Sequence, residues 1–255
     1  MRRILITNDD GIDAPGIRLL EEVACTLTSE VWVVAPELDQ SAVSHSLSLH
    51  DPLRVSVKGE RKFGVSGTPG DCIVLAIQEL MKNERPDLIL SGINRGSNLG
   101  VETAFSGTVG AAMVGLLLGV SSIALSQVFT KPDLVRWETA AAFAPNVIRQ
   151  LASIKWPENC CLSVNFPDFP PSGIKGMVFT NQGPGLMEGL DLNKRVDLRN
   201  HNYYWLNIRR GSRSNPADSE TAVVLEAGIS VTPLQFERTN VRALSFFRAK
   251  QHLLV

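Results

Sequence analysis

The 255-residue sequence is poor in the features that advertise several protein classes. It has four cysteines, Cys25, Cys72, Cys160 and Cys161, and none forms a C-x-x-C pair. Two stand alone and two are adjacent, which is poor material for a structural bridge or a zinc site. Reduced core thiols are therefore expected. The four histidines, His45, His50, His201 and His252, are too scattered for a His-based metal centre. Charged residues make up 20% of the chain, below the ~25% of an average globular protein. Lys plus Arg (25) nearly balances Asp plus Glu (26), leaving a formal charge of −1. Nothing in the bulk charge advertises a polyanion partner, so no stable nucleic-acid complex is expected. After Met1-Arg2-Arg3, only Ile4, Leu5 and Ile6 precede the polar Thr7-Asn8-Asp9-Asp10. That is no signal-peptide h-region, and a cytoplasmic location is expected.

Two nucleotide-binding signatures are also missing. No G-x-G-x-x-G follows the first apolar run. The spacing Gly11 to Gly16 resembles the start of a P-loop, but Ile17-Arg18 stands where Lys-Ser/Thr is required. The most extended absence is of charge, from Thr103 to Thr130. On length alone this run would span a membrane. Gly119-Val120-Ser121-Ser122 interrupts it, so it reads as a helix followed by a buried strand, with no membrane association.

Hydrophobic residues make up 44%, enough for a sizeable core without a disulfide or a metal. Ile4 to Thr7 is a short apolar, β-rich run, and Pro15 opens a helical pattern through Ile17, Leu20, Val23 and Leu27. Val31 to Ala35 is a second buried strand, so the first two strands should be parallel. Leu53–Val57 and Phe63–Ser66 read as a hairpin. A helix is expected from Thr68 to about Met81, then a strand over Asp87–Ser91 and a polar glycine loop over Gly92–Gly100. A helix opening at Ser106, a strand at Ser122–Leu125, a helix from about Asp133 to Leu151 and a strand at Cys161–Asn165 follow. The alternation predicts a doubly wound, mostly parallel α/β core over residues 1–166. Pro167, Pro170 and Pro171 mark a change of character. Residues 167–255 read as a β-rich extension, integrated with the core and suited to dimerisation, with short strands at Met177–Thr180, Tyr203–Ile208 and Ile229–Pro233.

In open α/β sheets, ligands sit outside the carboxyl ends of the strands. Asn8, Asp9, Asp10 and Gly11 lie past the first strand, Asp39 to His45 past the second, and Ser91, Asn94, Ser97 and Asn98 past the third. This set offers oxygen donors and no thiol, which suits a hard divalent cation such as Mg²⁺ or Mn²⁺. Adjacent carboxylates at Asp9-Asp10 on a glycine turn can both reach one ion. The uncharged helix opening at Ser106-Gly107-Thr108 offers N–H groups and hydroxyls to a phosphate. A phosphoryl group held between cation and helix is a hydrolysis geometry. Asn8 stands where the phosphatases with an Asp-x-Asp-Gly motif carry their nucleophile, which favours attack by metal-activated water over a covalent aspartyl-phosphate. Asp9 or Asp10 is the candidate base and His45 the candidate acid for the leaving alcohol.

The chain resembles the survival protein SurE family, divalent-metal-dependent 5′/3′-nucleotidases. The matching segments are Ile4–Gly11 with Ala14-Pro15-Gly16, Val33–Pro36 with Gln40-Ser41, and His45-Ser46. Gly67-Thr68-Pro69, Asp71-Cys72, Ser91–Asn94 with Gly96, Asn98-Leu99-Gly100 and Ser106–Val109 continue in order, with Tyr203-Tyr204-Trp205 and Ser230–Leu234 near the C-terminus. The resemblance implies one metal ion per subunit on Asp9, Asp10, Ser41 and Asn94. It implies phosphate binding by Asn98, Ser106, Gly107 and Thr108, with Asp9, Asp10, Asn98 and Ser106 as the catalytic set. It further implies a three-layer Rossmann-like core with an extension exchanged between subunits of a dimer or a dimer-of-dimers tetramer. The activity implied is hydrolysis of nucleoside 5′- and 3′-monophosphates, extending to exopolyphosphatase. Many members carry glycine where this chain has Ala42, and Asp-Pro-Arg-Gly where it has Asp197-Leu198-Arg199-Asn200. Two other classes stay open on sequence alone: a nucleotide-dependent oxidoreductase on the same fold, and a stress-response binding module with a vestigial site.

Overall fold

The computed structural model describes residues 1–131 and 133–250. A nine-stranded sheet forms its centre. Strand β1 (Arg3–Thr7) lies between β2 (Glu30–Pro36) and β5 (Leu88–Arg95) and is parallel to both. Beyond β2 come β4 (Lys62–Val65) and the edge strand β3 (Val55–Gly59), an antiparallel hairpin whose second strand is parallel to β2. Beyond β5 come β6 (Ser122–Gln127) and β7 (Cys161–Phe166), both parallel to it. The chain first winds outward from β1 to β2 and then returns to β5 on the other side of β1. That reversal makes the β1–β5 crevice the topological switch point.

Period-2 alternation divides the core in two. Ile4 and Ile6 of β1 pack with helices α1 (Pro15–Cys25) and α4 (Trp137–Ser153) on one face, through Ile17, Leu20, Ala140 and Ile148. Leu5 faces the other way, onto Ile73 of α2 (Pro69–Leu75) and Ala111 of α3 (Gly107–Leu117). Burial on both faces is why these strands read as unbroken apolar runs. Helix α2 begins in a capping box, with the Thr68 hydroxyl accepting from Asp71 N and the Asp71 carboxylate from Thr68 N. It continues as a π-helical turn over Ala76–Leu80.

The charge-free run resolves into α3 and β6. Helix α3 lies close enough to its neighbours that a Cβ on Gly110 would sit 2.3 Å from the Ser44 carbonyl oxygen. Among the described residues no helix is long and apolar enough to cross a membrane. Two details depart from the sequence reading. The stretch from Gly92 belongs to β5 as far as Arg95, with pairing to β6 shifting register between Ser91 and Asn94. The four thiols are free, but Cys25 is exposed and Cys160 only half-buried, so just Cys72 and Cys161 are core residues.

The region after Pro167 is interwoven with the sheet. Strand β11 (Gly228–Leu234) pairs antiparallel with β7, and β8 (Gly176–Phe179) pairs parallel with β11. Between them, β9 (Met187–Val196) and β10 (Asn202–Arg210) form a separate antiparallel hairpin. Two short helices complete it: α5 (Glu220–Leu225), and α6 (Val241–Ala249), which buries no residue.

Candidate functional site

The loops after β1, β2 and β5 meet at the switch point. Asn8 Nδ2 donates to the Gly11 carbonyl at 2.8 Å, and Gly11 takes φ +97°, which closes the turn behind the carboxylates. Gln40 N donates to the Asp9 carbonyl at 2.7 Å, tying the second loop to the first. Asp10 Oδ2 accepts from Arg95 N at 3.0 Å, which clips the first loop to the end of β5.

Asp9 is 4% exposed. Its Oδ2 accepts from Thr108 N at 3.1 Å and its Oδ1 from the Thr108 hydroxyl, so the first turn of α3 holds the carboxylate. A Cβ on Gly107 would lie 2.8 Å from Asp9 Cβ, so only glycine allows this approach. Burial pushes Asp9 up to about 6, against the lowering effect of the Thr108 hydroxyl, and the Asp10 charge adds to the rise. Burial also raises Asp10, with a smaller upward push from Asp39.

A cavity of about 190 Å³ is lined by Asp9, Ser41, Asn94, Asn98 and Ser106. Asp39 Oδ1 accepts from both Ser41 N and Ser41 Oγ at 2.7 Å, fixing that hydroxyl while leaving its oxygen lone pairs available. Asn94 commits its amide nitrogen to the Gly96 carbonyl at 3.1 Å, which leaves Oδ1 as the side chain's acceptor. Asn98 is anchored by its side-chain amide on Ser126 Oγ (2.8 Å) and by its backbone N–H on Asn165 Oδ1 (3.0 Å). Ser106 caps α3, its Oγ accepting from Val109 N at 3.0 Å, so its own proton stays free to donate.

Among the described residues, no three His, Cys, Asp or Glu side chains cluster as a metal site. In the cavity lining the Asp9 carboxylate stands with neutral oxygens, and Asp10 lies beside it, held by Arg95 N; such oxygen donors suit a hard divalent cation. Asp9 has no ion pair among the described residues, and burial raises both acids, Asp10 against the lowering charge of Arg95. The residues fit the metal the sequence implied.

Two of the expected site residues have other neighbours in this structure. Thr108, expected at the phosphate, spends both donors on Asp9 and acts as the clamp of that carboxylate. His45 lines a separate cavity of about 590 Å³ with Arg238 and Gln182. Its Nδ1 lies 3.0 Å from Ser44 Oγ. Burial, then the Arg238 charge, lowers its pKa, so it is held neutral near pH 7.

Sequence reasoning missed Glu102, Arg210, Phe105, Phe129, Met187 and Ile208, which also line the 190 Å³ cavity. Glu102 had one available signal: it is the last charge before the charge-free run. Phe105 directly precedes Ser106, and Phe129, Met187, Ile208 and Arg210 come from just past β6 and from the β9–β10 hairpin, which no local pattern connects to the glycine loop.

Fold and crevice together define a doubly wound α/β protein with an oxygen-donor site at the carboxyl ends of its central strands. The model of one family, described as survival protein SurE, matches residues 4–188. The chain is 55% identical over 246 residues to a protein of Burkholderia lata named 5′-nucleotidase SurE 1, covering 96% of this chain and 95% of that one. It is 45% identical to 5′-nucleotidase SurE of Parvibaculum lavamentivorans, covering 93% of this chain and 87% of the relative. The crystal structure of the SurE protein from Aquifex aeolicus superposes with a TM-score of 0.83 at 33% identity, covering 98% of this chain and 99% of that one. The chain belongs to the SurE family.

Proposed function

We propose that this chain is a divalent-metal-dependent phosphomonoesterase that hydrolyses nucleoside 5′- and 3′-monophosphates to nucleoside and phosphate, with polyphosphate as a further substrate. The observation that carries this reading is Asp9: a buried carboxylate without an ion pair among the described residues, beside Asp10, at the switch point and against the N-terminal turn of α3. The names of the Burkholderia and Parvibaculum relatives support the nucleotidase activity.

Asp9, Asp10, Ser41 and Asn94 would hold one Mg²⁺ or Mn²⁺ ion. Such an ion, when bound, supplies Lewis acidity at a phosphoryl oxygen and lowers the pKa of a bound water. The chain's own groups do the rest. Thr108 keeps Asp9 in one orientation, and Asp39 does the same for Ser41. Asn98, the free Ser106 hydroxyl proton and the Gly107 amide at the head of α3 receive the phosphoryl oxygens, where the helix dipole offsets their charge. With no reorganisation needed as charge develops, this preorganised set lowers the barrier. Phe105, Phe129, Met187 and Ile208 give the cavity an apolar wall suited to the nucleoside.

Residues 167–255 act in this reading as a dimerisation extension integrated with the core. The exposed Trp205 and Leu206 of β10 and Phe246 and Phe247 of α6 support a homodimer or dimer of dimers. The working compartment is the cytoplasm. The test is phosphate release from a panel of 5′- and 3′-monophosphates, polyphosphate and an aryl phosphate, with Mg²⁺ or Mn²⁺ and with a chelator. Release from the monophosphates, silenced by the chelator and restored by the ion, is expected. Release that ignores the chelator, or no release with any ion, contradicts the proposal.

A further inference from the structure

The loop from Asn94 to Asn98 carries two of the site's residues, and its middle is tied to a group far away in the chain. Ser97 Oγ donates to Glu102 Oε2 at 3.2 Å. The other oxygen of that carboxylate, Oε1, accepts from Arg210 Nε at 2.7 Å. The Glu102 side chain is 6% exposed, while that of Arg210 is 50% exposed. Arg210 is the last residue of β10, at the root of a hairpin whose strands are otherwise largely exposed. All three side chains line the cavity that also holds Asp9, Asn94 and Asn98. A carboxylate shut inside the protein is thus paired with a cation that the projecting hairpin supplies.

We propose that Arg210 is a positioning residue. Acting through Glu102, it sets the Ser97 turn and with it Asn94 and Asn98, so that seating of the hairpin root and competence of the site are one event. This inference rests on the phosphomonoesterase reading. The physical reason is the asymmetry of buried pairs. Removing Arg210 leaves a buried carboxylate without its partner, which must then turn toward water or take a proton. If the carboxylate turns away, Ser97 loses the acceptor it has now, and if it takes a proton, the charge-assisted bond that holds Ser97 is weakened. Neutralising Glu102 as well removes the unpaired charge, so the second substitution adds no further damage.

The test uses the full chain as wild type, Arg210→Met, Arg210→Lys, Glu102→Gln and the double variant Glu102→Gln/Arg210→Met. Arg209→Met is the control, because Arg209 pairs with Glu188 and Asp191 on the hairpin surface. With a nucleoside 5′-monophosphate, kcat should fall between about 10- and 100-fold in Arg210→Met and Glu102→Gln, because small misplacements of reacting groups act at that scale. KM should stay within about twofold, since what is lost acts in the transition state. The double variant should be no slower than Arg210→Met, and Arg210→Lys should recover most of the rate. Without metal or substrate, amide exchange across residues 94–98 should be faster in both single variants and unchanged in Arg209→Met. A raised KM with kcat intact, beside a silent Glu102→Gln, would show Arg210 contacting substrate directly and overturn the proposal. So would multiplied effects in the double variant, or unaltered exchange across 94–98. A wild-type protein that releases no phosphate sinks the activity reading instead, and the exchange measurement still decides the coupling.

Discussion

The sheet's centre and the projecting hairpin are built on opposite terms. Every residue of β6 and β7 is buried, whereas every residue of β10 and nearly all of β9 after its first few positions is exposed. The centre satisfies itself: apolar side chains on both faces meet helices of the same chain. The hairpin offers Tyr204, Trp205 and Leu206 to water and meets the rest of the chain at its root, through Met187, Ile208 and Arg210 at the cavity. Apolar burial concentrates the chain's own stability in the centre, while the hairpin leaves its apolar side chains uncovered and reaches back to the site only at its root.

The largest test of this contrast is a pair of truncations. Phe166 is fully buried, and Phe166→Ala should cost about 3–5 kcal/mol in denaturant unfolding. Leu192→Ser on β9 should change the stability of the dissociated chain by less than about 0.5 kcal/mol, yet lower the assembly mass in light scattering. Equal stability losses, or an unchanged mass, would break the contrast.

A pH measurement sharpens it at the boundary between core and site. The folded protein holds the Asp9 proton up to about 6, above the ordinary value of 3.8. The folded state therefore binds a proton that the unfolded chain releases. Metal-free stability should fall as pH rises from about 4 to about 6, by about 3 kcal/mol from this group. Asp9→Asn should flatten that fall, and Mg²⁺ added at pH 7.5 should offset it in the wild type. The same slope in wild type and variant would contradict the assignment.

The smallest effect concerns a single loop residue. Ala42 has φ +63°, a left-handed conformation that favours glycine. Ala42→Gly should raise stability by about 1 kcal/mol. Loss of stability on that substitution would mean that the loop needs the methyl group more than the backbone freedom. Asn200, also at φ +63°, is a residue type that tolerates this region well.

Much of the centre was legible because buried parallel strands write themselves as apolar runs. Ile4–Thr7 and Val31–Ala35 predicted β1 and β2 almost to the residue. Strand β9 was not legible: Met187–Val196 holds four charged residues, lies almost entirely exposed and alternates only at Leu190–Asn193, too briefly to mark a strand. Helices α5 and α6 are too short to carry a clear period. At the site, the Asp9-Asp10 turn and the glycine loop stood out through their residue types. The use of Thr108 did not, since a hydroxyl in a helix's first turn serves a carboxylate as readily as a phosphate. The Glu102–Arg210 pair spans 108 positions, and only the folded topology brings it together.

Calorimetric titration of Mn²⁺ tests the Asp9 crevice as a cation site most directly. Wild-type protein should bind about one ion per chain, and Asp9→Asn, folded by circular dichroism, should bind at least about tenfold more weakly. Equal binding by the two proteins, or none by the wild type at neutral pH, would contradict it.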